Sequence, residues 1–134
     1  MAATQHAIDL ARAAASAAED KLATKIVALD VSEQLALTDI FLLASAPNDR
    51  QVNAIVDSIE DTLRGLGVKP VRREGERDGR WVLIDFADIV VHVQHEEERV
   101  YYALERLWKD CPVIPFVDAD RVRAAERGVR QRSG

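Results

Sequence analysis

Two short apolar runs, WVLIDF at 81–86 and IVVHVQ at 89–94, are separated only by Ala87 and Asp88. Both are rich in β-branched and aromatic residues, so the pattern predicts two strands joined as a hairpin by a two-residue loop. Directly opposed residues then share one side of the sheet. One side is wholly apolar and is predicted to face the core: Val82, Ile84, Phe86, Ile89, Val91 and Val93. The other side, here called the mixed face, is predicted to have a function: Trp81, Leu83, Asp85, Val90, His92 and Gln94.

The remaining hydrophobic pattern predicts the element order α-β-β-α-β-β-β-α. Helices are predicted over 4–23, from Asn48 or Asp49 to Gly65, and over 96–108. Further strands are predicted over 25–31, 39–45 and 69–74, with an extended segment at 113–117. Thr4 is the expected cap of the first helix, and Glu60 and Arg64 are expected to form an i,i+4 pair on the second.

This order of elements limits the possible folds. A strand–helix–strand crossover requires a parallel pair of strands, whereas a hairpin requires an antiparallel pair. We therefore expect an α/β (α+β type) fold with a mixed five-stranded sheet and helices packed on it. A length of 134 residues with 48% hydrophobic composition fits a single domain. That domain is predicted to span 1–118, and 119–134 is predicted to be an arginine-rich, flexible tail.

Charge is distributed unevenly along the chain. Residues 1–118 hold 13 Lys and Arg against 21 Asp and Glu, a net charge of −8, whereas residues 119–134 hold five Arg against two acidic residues, a net charge of +3. Binding to duplex DNA requires clustered cations, so the acidic domain argues against a DNA-binding protein. Complementary potential instead favours a basic protein partner.

Several other classes of protein are disfavoured by the sequence. No apolar run approaches the roughly 18 residues that a membrane span requires, and no basic segment followed by an apolar one precedes the first helix. We therefore expect no membrane association and a cytoplasmic location. Cys111 is the single cysteine, so an internal disulfide is excluded and a thiolate zinc site is implausible; we expect Cys111 to be packed as a small hydrophobic residue.

The mixed face holds the candidate chemistry. Asp85, His92 and Glu96 suggest an acid–base or metal site, but alternate strand positions also bring unrelated polar residues together, and we favour no metal and no cofactor. Trp81 is either a core tryptophan or an exposed interface anchor beside Leu83, a residue type enriched in binding hot spots.

Six short segments carry a family resemblance. The dipeptide EG is followed by WVLIDFADIVVHV and then by EEERVYYALERLW; upstream lie ALDV at 28–31, Leu37-Thr38-Asp39 and Arg50-Gln51-Val52. In this order, over roughly residues 8–108, the chain resembles the ribosomal silencing factor, or Iojap-like, family. The family usually has a Gly-x-Ser loop where this chain reads Ser45-Ala46-Pro47-Asn48-Asp49, and a glycine where it has Ala87. Alanine disfavours a positive φ, which suggests a different shape for this turn.

The resemblance implies a fold related to nucleotidyltransferases without their catalytic site. It also implies attachment to the large ribosomal subunit through ribosomal protein L-fourteen, which blocks joining of the small subunit and lowers translation when nutrients are scarce. The residues that we predict to bind the partner are Trp81, Leu83, Asp85, His92, Arg99 and Tyr102. Arg99 and Tyr102 either border the mixed face or belong to ordinary surface. We further expect a homodimer when the protein is free, and a peripheral contact of the tail with ribosomal RNA. The rival function is a small nucleotidyltransferase or hydrolase that uses Asp85, His92 and Glu96.

Overall fold

The computed structural model describes residues 2–75, 80–97 and 111–114. The elements are α1 Gln5–Asp20, β1 Thr24–Asp30, β2 Ile40–Ala46, α2 Asp49–Gly65, β3 Arg72–Gly75, β4 Trp81–Asp85 and β5 Ile89–His95. Beyond residue 97, the predicted third helix lies outside the described residues, and so do Arg99, Tyr102 and the tail at 119–134. Of the predicted segment at 113–117, residues 113 and 114 are described.

The five described strands form one mixed sheet in the order β1-β2-β5-β4-β3. Strands β2 and β5 run parallel, and the other neighbours are antiparallel. This confirms the predicted α+β domain with a mixed five-stranded sheet. The parallel pair lies at the centre, where both sides of the sheet are covered, which explains why β2 is almost continuously apolar.

The predicted hairpin has the predicted register. Strands β4 and β5 pair Trp81 with Gln94, Leu83 with His92, and Asp85 with Val90. The Phe86 N–H donates to the Ile89 carbonyl at 2.9 Å, so Ala87 and Asp88 are the two-residue loop. All six residues of the apolar side are buried in the main core, as expected.

The two described helices cover this apolar side of the sheet. Helix α1 begins at the predicted cap, because the Thr4 hydroxyl accepts a hydrogen bond from the Ala7 N–H at 3.1 Å. The side chain of Asn48 caps α2 in the same way through the N–H of Gln51. Helix α1 presents small residues to the core, which allow close packing: Ala7, Ala11, Ala14, Ala15 and Ala18 are fully buried.

Residues 111–114 lie along β1, at the edge of the sheet opposite β3. Val113 forms a bridge with Leu29 of β1, and the Pro112 carbonyl accepts from the Asp30 N–H at 2.8 Å. Cys111 is buried and packs in a second, smaller core cluster with Leu29 and Leu43, which confirms its expected packing role. The predicted extended segment is thus confirmed in its described part.

One predicted ion pair is wrong. Glu60 contacts Arg73 of β3, with Nη1 and Oε1 3.2 Å apart, and Arg64 contacts Asp61 at 3.3 Å instead. Arg73 pairs with Ile84 and therefore points to the side of the sheet on which α2 lies. This contact between α2 and the edge strand outweighs the local i,i+4 spacing. Strand β3 is also shorter than predicted, although its position at the edge is confirmed.

The hairpin loop keeps a conformation that usually favours glycine. Ala87 has φ of +72°, so the expectation that alanine gives this turn another shape is wrong. The Asp85 Oδ1 accepts from the Ala87 N–H at 2.8 Å, and the Asp88 N–H donates to the Phe86 carbonyl at 3.0 Å. These bonds offset the strain of about 1 kcal/mol that a residue with a Cβ has at positive φ.

Candidate functional site: the mixed face of the sheet

The mixed face lies on the side of the sheet opposite α1 and α2. Trp81, Leu83, Asp85 and Val90 are half-buried, whereas His92 is 6% exposed and Gln94 is fully buried. The cross-strand pairs of β4 and β5 place these residues on one face, which confirms the prediction. His92 is buried, so the interpretation of it as a solvated side chain is wrong, whereas its contact with a partner stays a prediction.

His92 is buried because aromatic rings flank it on both neighbouring strands. Its ring lies edge-on to that of Trp81, with centroids 5.7 Å apart and planes at 78°, and edge-on to that of Phe41 on β2 at 6.4 Å. Such edge-to-face pairs stabilise by about 0.5–1.5 kcal/mol beyond the area that they bury. His92 thus fixes the orientation of the Trp81 indole from the side of the sheet, and Trp81 remains only half-buried.

The backbone around Trp81 is held from the edge strand as well. A Cβ built on Gly75 of β3 would lie 2.6 Å from the Trp81 carbonyl oxygen, so only glycine allows β3 to approach here. On the other side, the Arg80 carbonyl accepts from the His95 N–H at 2.8 Å. The hydrogen bond from the Arg80 guanidinium to Glu97, at 3.0 Å, lowers the pKa of that carboxyl below its usual value.

Asp85 lies at the hairpin end of the mixed face. Its Oδ1 holds the Ala87 N–H, so one carboxylate oxygen maintains the turn. The donor in this bond is a neutral amide, so the bond brings no positive charge to Asp85. Asp85 can therefore still contribute electrostatically to a partner, beside the half-buried Leu83.

The three residues of the rival catalytic hypothesis do not converge. Asp85 pairs with Val90, and Glu96 follows the far end of β5, six residues on, which corresponds to about 20 Å along a strand. Glu96 instead accepts a hydrogen bond from the Thr24 hydroxyl at 3.0 Å. In the described parts of the chain, no three potential metal ligands are grouped together.

The segment in place of the phosphate loop also has a structural role. The Ser45 hydroxyl is buried and donates to the Thr24 carbonyl at 3.2 Å, which ties β2 to β1. Asn48 is used as the cap of α2. The residues at this position therefore hold two strands and a helix together.

Sequence reasoning missed two residues that shape the site, Phe41 and Gly75. Phe41 belongs to the mixed face because β2 pairs with β5 in a register that places it opposite Val90. Its place in a strand was predicted, but the strand that lies beside it was not. Gly75 stands in the EG dipeptide of the family pattern, which was the available signal for a close backbone approach.

Across the described residues, neither helix has the length and apolar character needed to cross a membrane. The sequence model described as "Ribosomal silencing factor during starvation" matches residues 4–133. Ribosomal silencing factor RsfS of Bacillus subtilis is 44% identical over 100 residues, which cover 75% of this chain and 85% of that protein. RsfS of Halalkalibacterium halodurans is 40% identical over 106 residues, with coverage of 79% and 91%.

The fold agrees with these relatives. A crystal structure of a protein from Chromobacterium violaceum matches with a TM-score of 0.73 at 36% identity and covers 76% of this chain and 85% of that one. From its sequence motifs, its sheet and these comparisons, the chain belongs to the ribosomal silencing factor family.

Proposed function

We propose that this protein silences ribosomes by attaching its mixed face to the large ribosomal subunit, through ribosomal protein L-fourteen. The bound protein occupies space that the small subunit needs, so the two subunits cannot join and translation falls when nutrients are limiting. The mechanism is steric occupation and requires neither catalysis nor a metal or cofactor. It acts in the cytoplasm, where translating subunits are found.

The observation that carries this proposal is the half-buried Trp81 beside Leu83 on a rigid sheet. Tryptophan is the residue type most enriched at the centres of interfaces, where it contributes 2 kcal/mol or more. His92 below and Gly75 beside Trp81 fix its orientation before binding. Preorganisation of this kind reduces the entropy lost on association.

Charge supports a basic protein rather than RNA as the main partner. From residue 81 to residue 97 the chain has no lysine or arginine and four carboxylates, Asp85, Asp88, Glu96 and Glu97. Arg72, opposite Asp85 on β3, and Arg80, hydrogen-bonded to Glu97, offset part of this negative charge. A negative surface repels phosphate and attracts the lysine-rich and arginine-rich surfaces of ribosomal proteins. Arg99 and Tyr102 are proposed to border the same surface.

Two further parts of the proposal concern assembly. The tail at 119–134 carries a net charge of +3 and is proposed to contact ribosomal RNA peripherally, so its deletion is expected to weaken binding only slightly and at low salt. The free protein is proposed to form a homodimer through its partly apolar mixed face. Light scattering that gives a monomer mass from micromolar to millimolar concentration contradicts the dimer.

The test uses purified ribosomal subunits. The protein is expected to co-sediment with large but not small subunits, and to reduce the fraction of joined ribosomes in proportion to its occupancy. Joining that is unaffected at saturating protein contradicts the proposal. Calorimetry with Mg²⁺-ATP is expected to show no binding; micromolar binding that is lost in Asp85→Asn favours the enzymatic alternative.

A further inference from the structure

A second apolar feature projects from the hairpin end of the sheet. Leu37 is 88% exposed, more than any other large hydrophobic residue in the described parts of the chain, and its neighbours Ala36 and Ala87 are also exposed. Leu37 lies in the loop between β1 and β2, next to the loop of the β4–β5 hairpin. We call Ala36, Leu37, Ala87 and Asp88 the turn-edge patch.

The loop that carries Leu37 is fixed on both sides of that residue. On one side, Leu35 packs in the smaller core cluster and its N–H donates to the Val31 carbonyl at 2.8 Å. On the other, the Thr38 hydroxyl donates to the Ala87 carbonyl at 3.1 Å, and the Asp39 N–H donates to the Asp88 carbonyl at 2.9 Å. Leu37 is therefore held out from a braced loop and leaves nearly all of its side chain in contact with solvent.

The neighbouring turn keeps a strained conformation. Ala87 has φ of +72°, and the hydrogen bond from the Asp88 N–H to the Phe86 carbonyl closes a γ-turn around it. Strained residues persist where the surroundings fix them and are concentrated at binding sites. This conformation places the carbonyl groups of Ala87 and Asp88 where they accept the hydrogen bonds that hold the Leu37 loop.

The surroundings of Leu37 are acidic. No lysine or arginine occurs within 26–49 or 81–97. Arg72 of β3 pairs with Asp85 at this end of the sheet, and its guanidinium lies 3.3 Å from the Glu74 carboxylate. The carboxylates that the hydrogen bonds of the two loops place beside the patch belong to Asp39, Asp85 and Asp88. Asp39 accepts from the Thr4 N–H and Asp85 from the Ala87 N–H, and both donors are neutral amides. The Asp88 Oδ2 lies 3.6 Å from the exposed His6 ring. An apolar knob with an acidic rim fits a protein surface that has an apolar recess bordered by lysine or arginine.

We propose that the turn-edge patch is a second contact surface for the same basic ribosomal protein that binds the mixed face, with Leu37 as its apolar anchor. This inference rests on the proposed function. The two surfaces are continuous through Asp85, which lies four residues from Trp81 along β4, or about 13 Å. Both fit within one interface of standard size, about 800 Å² on each partner.

The test compares Leu37→Ala with Leu66→Ala as the matched control. Leu66 is another exposed leucine, at the end of α2 and outside both proposed surfaces. Leu37→Ala is expected to weaken binding to large subunits, and to the isolated ribosomal protein, by about fivefold or more, whereas Leu66→Ala leaves both unchanged. If the wild type binds large subunits and Leu37→Ala binds them equally well, this inference is overturned and the proposed function is left intact. A wild type that does not bind large subunits overturns both.

A charge variant provides an independent arm. Asp88→Lys is expected to slow association at low salt and to reduce the dependence of the association rate on salt, because attraction at the acidic rim becomes repulsion. Faster association of Asp88→Lys means that the patch meets a polyanion such as RNA and overturns the assignment. Loss of binding in Leu37→Ala on whole subunits but not on the isolated ribosomal protein also overturns it, because the partner is then a different molecule.

Discussion

The imidazole of His92 supports the indole of Trp81 edge-on, with the ring centroids 5.7 Å apart. His92 pairs with Leu83 across the hairpin, so Trp81 is its diagonal neighbour, a distance that aromatic side chains can span. The buried His92 thus determines the orientation in which the accessible Trp81 meets a partner. The face acts as a fixed surface rather than as a set of independent side chains.

Removal of this support is expected to affect binding through Trp81. His92→Ala is expected to weaken binding to large subunits by roughly three- to tenfold per folded molecule, because the indole gains alternative orientations. His92→Phe retains an aromatic ring below Trp81 and is expected to recover most of the affinity. Equal loss in both variants argues that His92 has another role in the site.

Gly75 provides a second test of how Trp81 is positioned. Gly75→Ala places a Cβ against the Trp81 carbonyl, so β3 must shift away from β4. We expect a stability loss of about 1–3 kcal/mol together with weaker binding to large subunits. Gly65→Ala is the matched control, because a Cβ there meets no atom within 4 Å. Denaturant unfolding and sedimentation measure the two effects.

The hairpin was predictable because its information is local. A side-chain period of two and a two-residue loop fix every pair from Trp81 to Asp85. The burial of His92 was not predictable in the same way, because it depends on Phe41, about fifty residues earlier in the chain. Only the parallel pairing of β2 with β5 brings that ring to the mixed face.

Two other differences between prediction and structure have physical causes. The pair between Glu60 and Arg64 follows a helical rule worth a few tenths of a kcal/mol, which a contact with Arg73 on another element outweighs. The Ala87 turn was expected to change shape because alanine disfavours positive φ. Hydrogen bonds from outside the hairpin, through Thr38 and Asp39, hold the turn in place.

The ends of the two helices differ in a way that predicts a stabilising substitution. The N–H groups of Leu22 and Ala23 bond back to Glu19 and Ala18, the same motif that Gly67 forms at the end of α2. Leu22 has φ of +62° and is 74% exposed, so its side chain gains little from packing. Leu22→Gly is expected to stabilise the protein by about 0.5–1 kcal/mol, and Gly67→Ala to destabilise it by a similar amount. A lower unfolding midpoint for Leu22→Gly contradicts this reading.

The Asp30 carboxylate predicts an acid-dependent loss of stability. Burial alone raises its pKa, but hydrogen bonds from the Ser32 hydroxyl and from the N–H groups of Ala3 and Ser32 outweigh this, and the pKa lies below its ordinary value of 3.8. The stabilisation is therefore complete above pH 3.8 and is lost as the pH falls through the lower pKa of the folded state. Asp30→Asn is expected to cost about 1 kcal/mol at pH 7, with the difference from wild type shrinking only below pH 3.8.

The central claim, that the mixed face binds the large subunit through Trp81, is tested most directly by sedimentation of Trp81→Ala beside Val91→Ala, with thermal melts of both. Trp81→Ala is expected to bind at least about thirtyfold more weakly while losing less than the roughly 3–5 kcal/mol of a core tryptophan. Val91→Ala, on the apolar side, is expected to melt earlier and to bind normally per folded molecule. A stable Trp81→Ala protein that binds large subunits as tightly as wild type and still blocks joining contradicts the account.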